Sequence, residues 1–207
     1  MIIDDLLPKL ITIAILLLFA FPVHEAAHAW MAYRQGDATA KLFGRMSLNP
    51  IVHFDTMGAL MTIISVGIGG LLIGWAKPTP VNTANLRDRR NGEVLVALAG
   101  PVSNWLMAIA GALVFRILFA MPAPNLVLLV VYYFVVFNVV LGIFNLLPIP
   151  PLDGSTLLFR FLSPRQVWEI RPVLSQYGIF ILLGIVILLG PVLSRAIGGV
   201  VNVLLGI

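Results

Sequence analysis

The sequence predicts an all-α polytopic membrane protein, with a core of three transmembrane helices, a re-entrant or β-hairpin segment, and one or two C-terminal helices. Three observations carry that prediction. Of 207 residues, 60% are hydrophobic and 11% are charged, whereas a soluble domain keeps roughly a quarter of its residues charged. The apolar residues gather into stretches near the ~20 residues that cross a bilayer as a helix. Ten of the 13 Lys and Arg residues fall between those stretches.

The chain reads as a single integral-membrane domain over 1–207, with a core at about 7–154 and C-terminal helices at about 155–207. It has no cysteine, which excludes disulfides and thiolate metal sites, so a metal would be held by His and carboxylate. The net charge of +4 suits basic loops against anionic lipid, and no basic run suggests nucleic acid.

The first span is Leu7–Tyr33. Leu10–Phe21 followed by Ala27-His28-Ala29 has the outline of a secretory leader, but Asp4 and Asp5 stand where a leader is positive. The segment is therefore expected to stay as a span. Next comes a polar stretch, Arg34–Asp55, within which Ala38–Leu48 could form a β-hairpin or a plain loop. Met57–Ile73 is apolar but glycine-rich, and Gly74–Asn91 is polar again. Glu93–Phe119 and Leu126–Leu147 are the second and third spans, joined by the short turn Met121–Asn125. After polar Ser155–Ser175, Tyr177–Leu189 is a short span that could bend at Pro191 into a further helix ending near Leu205.

Charge sets the topology. Arg34, Lys41, Arg45, Lys77, Arg87, Arg89 and Arg90 flank Met57–Ile73, and Arg160, Arg165 and Arg171 follow the third span. Basic loops stay cytoplasmic. All ten share that side only if Met57–Ile73 enters and leaves by one face, buried in protein; a simple span there is the alternative. The first and third spans then both run inward and end at similar depth.

The chemistry sits at those two inner ends. His24-Glu25-Ala26-Ala27-His28 puts two imidazoles one helical turn apart on one face, able to grip one metal ion, with a Glu beside the first that can reach a water on it. Ionisable groups at membrane depth are costly and mark function. Two of the chain's three histidines lie in this motif. Zinc needs a third protein ligand and leaves a fourth position for water. Asp153, after Pro150-Pro151 and before Gly154, is the stronger candidate; His53, in a polar loop, is the other, unless it bonds Asp55 or backbone instead.

The chain resembles the site-2 protease family of intramembrane zinc metalloproteases, and within it the compact prokaryotic members without an inserted domain. The resemblance rests on His24-Glu25-Ala26-Ala27-His28, Gly44-Arg45 with Asn49-Pro50 and His53-Phe54-Asp55, Gly74-Trp75-Ala76-Lys77-Pro78, Ala99-Gly100-Pro101-Val102-Ser103-Asn104, and Asn145-Leu146-Leu147-Pro148 leading to Pro151-Leu152-Asp153-Gly154. It implies that His24, His28 and Asp153 bind one catalytic Zn²⁺, that Glu25 is the general base, and that Asn145 helps hold the substrate or its oxyanion. It also implies a transmembrane protein substrate within the lipid bilayer. The protein is expected to be a multi-pass cell-membrane enzyme with its active site towards the cytoplasm. A side-chain amide suits an oxyanion donor; the alternative for Asn145 is an interhelical hydrogen bond. Asn138, seven residues earlier, suits that structural role better, and Asn104 is a candidate partner behind the metal ligands. Pro22 cannot donate to the Leu18 carbonyl and loosens the turn before His24. The rival class is a non-catalytic zinc-binding scaffold or a metal transporter, which would spread ligands over several depths.

Overall fold

The computed structural model describes residues 2–68 and 74–207. It is helical throughout, with no strand among the described residues. In order run α1 (Ile2–Ile15), a π-helical stretch (Leu16–Ala20), α2 (Phe21–Arg34), α3 (Thr39–Leu42), α4 (Pro50–His53), α5 (Thr56–Ile68), a 3₁₀ turn (Thr83–Asn85), α6 (Arg89–Phe119), α7 (Asn125–Phe144), α8 (Gly154–Phe161) and α9 (Pro164–Leu205). Among the described residues, four helical stretches are long and apolar enough to cross a membrane: Leu7–Arg34, Arg89–Phe119, Asn125–Phe144 and Pro164–Leu205.

The first span is not uniform. Phe21 N–H reaches back five residues to the Leu16 carbonyl, and Pro22 has no N–H to give. One wide turn therefore precedes His24, as the position of Pro22 implies. Leu16, Ala20 and Phe21 bury this turn against Phe137 and Leu141 of α7.

The proposed β-hairpin is absent. Ala38–Leu48 holds the helical turn α3 followed by a bend, with Gly44 at φ 69° closing it. The reason is Asp37, fully buried, whose carboxylate accepts from Thr39 N (3.0 Å), Thr39 Oγ1 (2.5 Å), Asn85 Nδ2 (3.0 Å) and Asn82 N (2.7 Å). The Thr39 bonds start a helix rather than a strand, and the others lash the end of α2 to the segment entering α6.

α5 has 13 residues, about 20 Å at helical rise and too short to span. The return of the chain is visible at its base. Lys77 N–H donates to the His53 carbonyl at 2.8 Å, just before α5 begins. A Cβ on Gly58 would meet Trp75 Cδ1 at 2.9 Å, and one on Gly74 would meet Thr62 Cβ at 3.0 Å. Chain leaving α5 thus lies back along it, as re-entry requires; residues 69–73 of the expected Met57–Ile73 segment lie outside the described residues.

α6 is the central post. Asp88 caps its start, accepting from Arg90 N and Asn91 N. Ala108, Ala112 and Phe115 pack on Val135 and Val139 of α7 and on Val201 and Leu205 of α9. Ala32 of α2 and Leu86 pack on Val96 at its other end. Arg116 donates to the Leu204 and Val203 carbonyls at 2.7 Å each, satisfying the last turn of α9.

Two boundaries become definite. The polar stretch Ser155–Ser175 holds α8 and the first turns of α9, launched by a Ser163–Gln166 capping box. The bend at Pro191 into a separate helix does not occur. α9 runs 42 residues unbroken, about 63 Å, through Pro172 and Pro191.

Burial works against the ionised Asp37 carboxylate, but its hydrogen bonds with Thr39, Asn85 and Asn82 outweigh it and hold its pKa below the ordinary 3.8. A lowered folded value stabilises the fold above the unfolded pKa and loses that stabilisation as pH falls through the folded one. Asp37→Ala is expected to cost about 2 kcal/mol at neutral pH through its stranded donors. In detergent thermal unfolding, the gap to the unaltered protein should close as the pH is taken below about 4.

Candidate metal centre

α2 aims His24 and His28 at one point, and the turn after α7 brings Asp153 to meet them. His24 Nε2 and His28 Nε2 are 3.0 Å apart, and Asp153 Oδ2 lies 3.1 and 3.3 Å from them. Both imidazoles are 7% exposed. This is the group of three His, Asp or Glu side chains able to hold a metal among the described residues.

The other ring nitrogens orient the two rings. His28 Nδ1 donates to the Val96 carbonyl at 2.7 Å, and His24 Nδ1 to Asn104 Oδ1 at 2.6 Å. A neutral imidazole protonated at Nδ1 offers only a lone pair at Nε2. Asp153 Oδ2 is buried with no hydrogen-bond partner. With both imidazoles neutral, three acceptors face one another, and a cation among them satisfies all three. A tetrahedral Zn²⁺ bound at about 2.0–2.1 Å holds its ligand atoms about 3.3–3.4 Å apart, close to the observed edges. The residues fit the metal.

Local sequence makes this approach possible. α7 stops at Phe144, three residues before the expected Leu147, and the turn folds back so that Gly154 N–H donates to the Asn145 carbonyl at 2.7 Å. Residue 153 is thereby returned to the foot of the helix. Pro150–Pro151 is cis. Gly154 packs against Leu146 backbone, where a side chain would collide. From α6, Gly100 faces the imidazoles: a Cβ there would lie 2.6 Å from His24 Nε2. Val96, Gly100 and Asn104 recur every four residues, so one α6 face serves both histidines.

Glu25 is half-buried beside them. Its Oε2 accepts from Thr79 N–H at 2.8 Å, and Thr79 Oγ1 donates to the Glu25 carbonyl at 3.0 Å. Sequence reasoning missed Thr79, because a backbone donor leaves no residue signature. His53 stays outside the triangle: its Nε2 donates to the Ser47 carbonyl at 2.7 Å, fixing the loop as the backbone reading had it. Asn145 is half-buried at the foot of α7, and its carbonyl is the group seen engaged, holding Gly154.

Comparison with known proteins agrees with this geometry. The model of peptidase family M50 matches residues 12–127 and 120–189. YwhC of Bacillus subtilis (strain 168), a candidate zinc metalloprotease, is 37% identical over 191 residues, covering 86% of this chain and 80% of that one. The candidate zinc metalloprotease Rip2 is 29% identical in Mycolicibacterium smegmatis and 31% in Mycobacterium tuberculosis H37Rv, covering 86% of this chain and 66% and 67% of theirs. No solved structure matches significantly. A family match that covers most of the chain and a relative this similar over most of both chains lead to one assignment: the chain belongs to peptidase family M50, the site-2 protease family, and is a multi-pass membrane zinc metalloprotease.

Proposed function

We propose that this protein hydrolyses a peptide bond in or near a transmembrane segment of a membrane-protein substrate, with His24, His28 and Asp153 holding the zinc and Glu25 as general base. One observation carries the reading: two imidazole nitrogens of the first membrane-spanning helix and a carboxylate oxygen from the turn after α7 converge within 3.3 Å of one another. When bound, Zn²⁺ supplies Lewis acidity that activates water and polarises the scissile carbonyl. Glu25 takes the proton of the attacking water and returns it to the leaving amine. For that the carboxylate must sit near the triangle yet keep a free oxygen, and the Thr79 amide engages its Oε2. The side-chain amide of Asn145 is suited to hold the substrate or stabilise the developing oxyanion. A helical substrate hides its carbonyls in its own hydrogen bonds, so it must unwind before attack.

The active site is proposed to face the cytoplasm. Support comes from the basic residues that share its end of the molecule: Arg90 Nη2 donates to the Arg160 carbonyl at 2.8 Å, and Arg87 N–H to the Gln35 carbonyl at 2.8 Å.

Three tests follow from these roles. In vesicles with a single-span substrate, Glu25→Gln should retain zinc and lose cleavage by about 10²-fold or more, whereas His24→Ala and Asp153→Ala should lose both. Undiminished cleavage by Glu25→Gln refutes the general base, and zinc lost from His53→Ala but kept by Asp153→Ala refutes the ligand set. Gly100→Ala should lower the zinc content of purified protein, since its methyl enters the space between the imidazoles. Because the chain has no cysteine, single cysteines report topology cleanly. One at Ser163 should react with a membrane-impermeant maleimide only in inverted vesicles, and one at Ala123 only in right-side-out cells.

A further inference from the structure

Asn138 lies in the middle of α7, fully buried, and touches none of the three converging atoms. Its Nδ2 donates to the Phe134 carbonyl one turn earlier at 2.8 Å, and its Oδ1 accepts from Asn104 Nδ2 at 3.0 Å. Asn104, also fully buried, then accepts the His24 Nδ1 proton on Oδ1 at 2.6 Å. The chain of bonds crosses three helices, α7 to α6 to α2.

Its direction is forced from one end. A backbone carbonyl can only accept, so Asn138 must turn its NH₂ to Phe134 and its oxygen to Asn104. Asn104 must in turn give its NH₂ to Asn138 and its oxygen to His24. An oxygen facing Nδ1 selects the Nδ1–H tautomer, and that tautomer alone leaves the Nε2 lone pair pointing at Asp153 and His28. Asn104 by itself could not make this choice. Rotated half a turn, its amide would present NH₂ to Nδ1, select the Nε2–H tautomer, and drive a proton into the ligand triangle. His28 needs no such device, because its Nδ1 faces the Val96 carbonyl, which has no alternative orientation.

We propose that Asn138 is a positioning residue for the metal centre: acting through Asn104, it locks His24 in the tautomer that binds zinc. The inference rests on His24 being a ligand. It differs from a simple interhelical tie between the two asparagines, which would stabilise the bundle without caring which nitrogen of His24 carries the proton.

The test uses the full chain in lipid nanodiscs, metal-free and zinc-loaded. Zinc affinity is measured by competition with a chelator, the His24 tautomer from imidazole ¹⁵N spectra of the metal-free protein, and stability from thermal unfolding. With three histidines in the chain, the His24 signals are assigned by their loss in His24→Asn. Asn138→Leu is expected to weaken zinc by about tenfold or more and to populate Nε2–H at His24. Asn138→Ser should do the same while preserving α7, because its hydroxyl still bonds the Phe134 carbonyl but falls short of Asn104. It also keeps the proposal open to refutation if the leucine variant does not fold. Unchanged affinity and tautomer in either folded variant overturn the proposal, even if stability drops. If His24→Asn itself binds zinc as tightly as the unaltered chain, the ligand assignment falls, and the relay with it.

Discussion

Three lone pairs aimed at one point inside an apolar bundle are the constraint on which the rest of this structure turns. Without a cation, two imidazole nitrogens and a carboxylate oxygen at 3.0–3.3 Å repel one another, and the low dielectric magnifies the cost. With a divalent cation the same low dielectric strengthens each bond. Zn²⁺ with Asp153 and an ionised Glu25 is formally neutral, so a site of this composition can stay away from water. Several local features are means to that end: the fold-back that returns residue 153 to the foot of α7, the glycine on α6, and the buried acceptors behind each ring.

α6 is where those means meet. Its residues 96, 100 and 104 supply a carbonyl, an absence of side chain, and an amide, in register with the two histidines. Pro101, inside the same helix, offers no N–H and so leaves the Ala97 carbonyl one turn earlier without its helical donor. Small residues further along α6 let α7 approach, and Arg116 secures the end of α9. Rigid packing at one end of the post and ligand orientation at the other are therefore properties of the same helix.

Much of this could be read from the sequence, and the limits have physical causes. The spans, the HExxH face and Asp153 were legible because hydrophobic length and i, i+4 spacing are local properties. Asn104 was legible as a polar residue stranded on an apolar helix. The loop around Ala38–Leu48 was not, because alternating small and polar residues suit a strand or a turn equally. The decision lay with Asp37, whose partners Asn82 and Asn85 are more than 40 residues away. The true start of α9 was hidden by its charged first turns, since the sequence marks where a helix is apolar rather than where it begins. Contacts made by backbone groups, such as Thr79 on Glu25 and Val96 on His28, leave no residue-type signal at all.

The wide turn before His24 makes the helix different on the two sides of that residue. A straight α-helix would present the ring and the residues preceding it at a fixed 100° step. The π-helical stretch Leu16–Ala20 inserts extra arc, and Pro22 removes a donor from the next turn. The backbone ahead of His24 is thereby freed from part of its hydrogen-bond ladder, while the residues after it are clamped by Thr79 and by the α6 face. The candidate ligands are therefore held from the residues after them and from α6, while the turn ahead of them is held by packing against α7 in place of a full hydrogen-bond ladder.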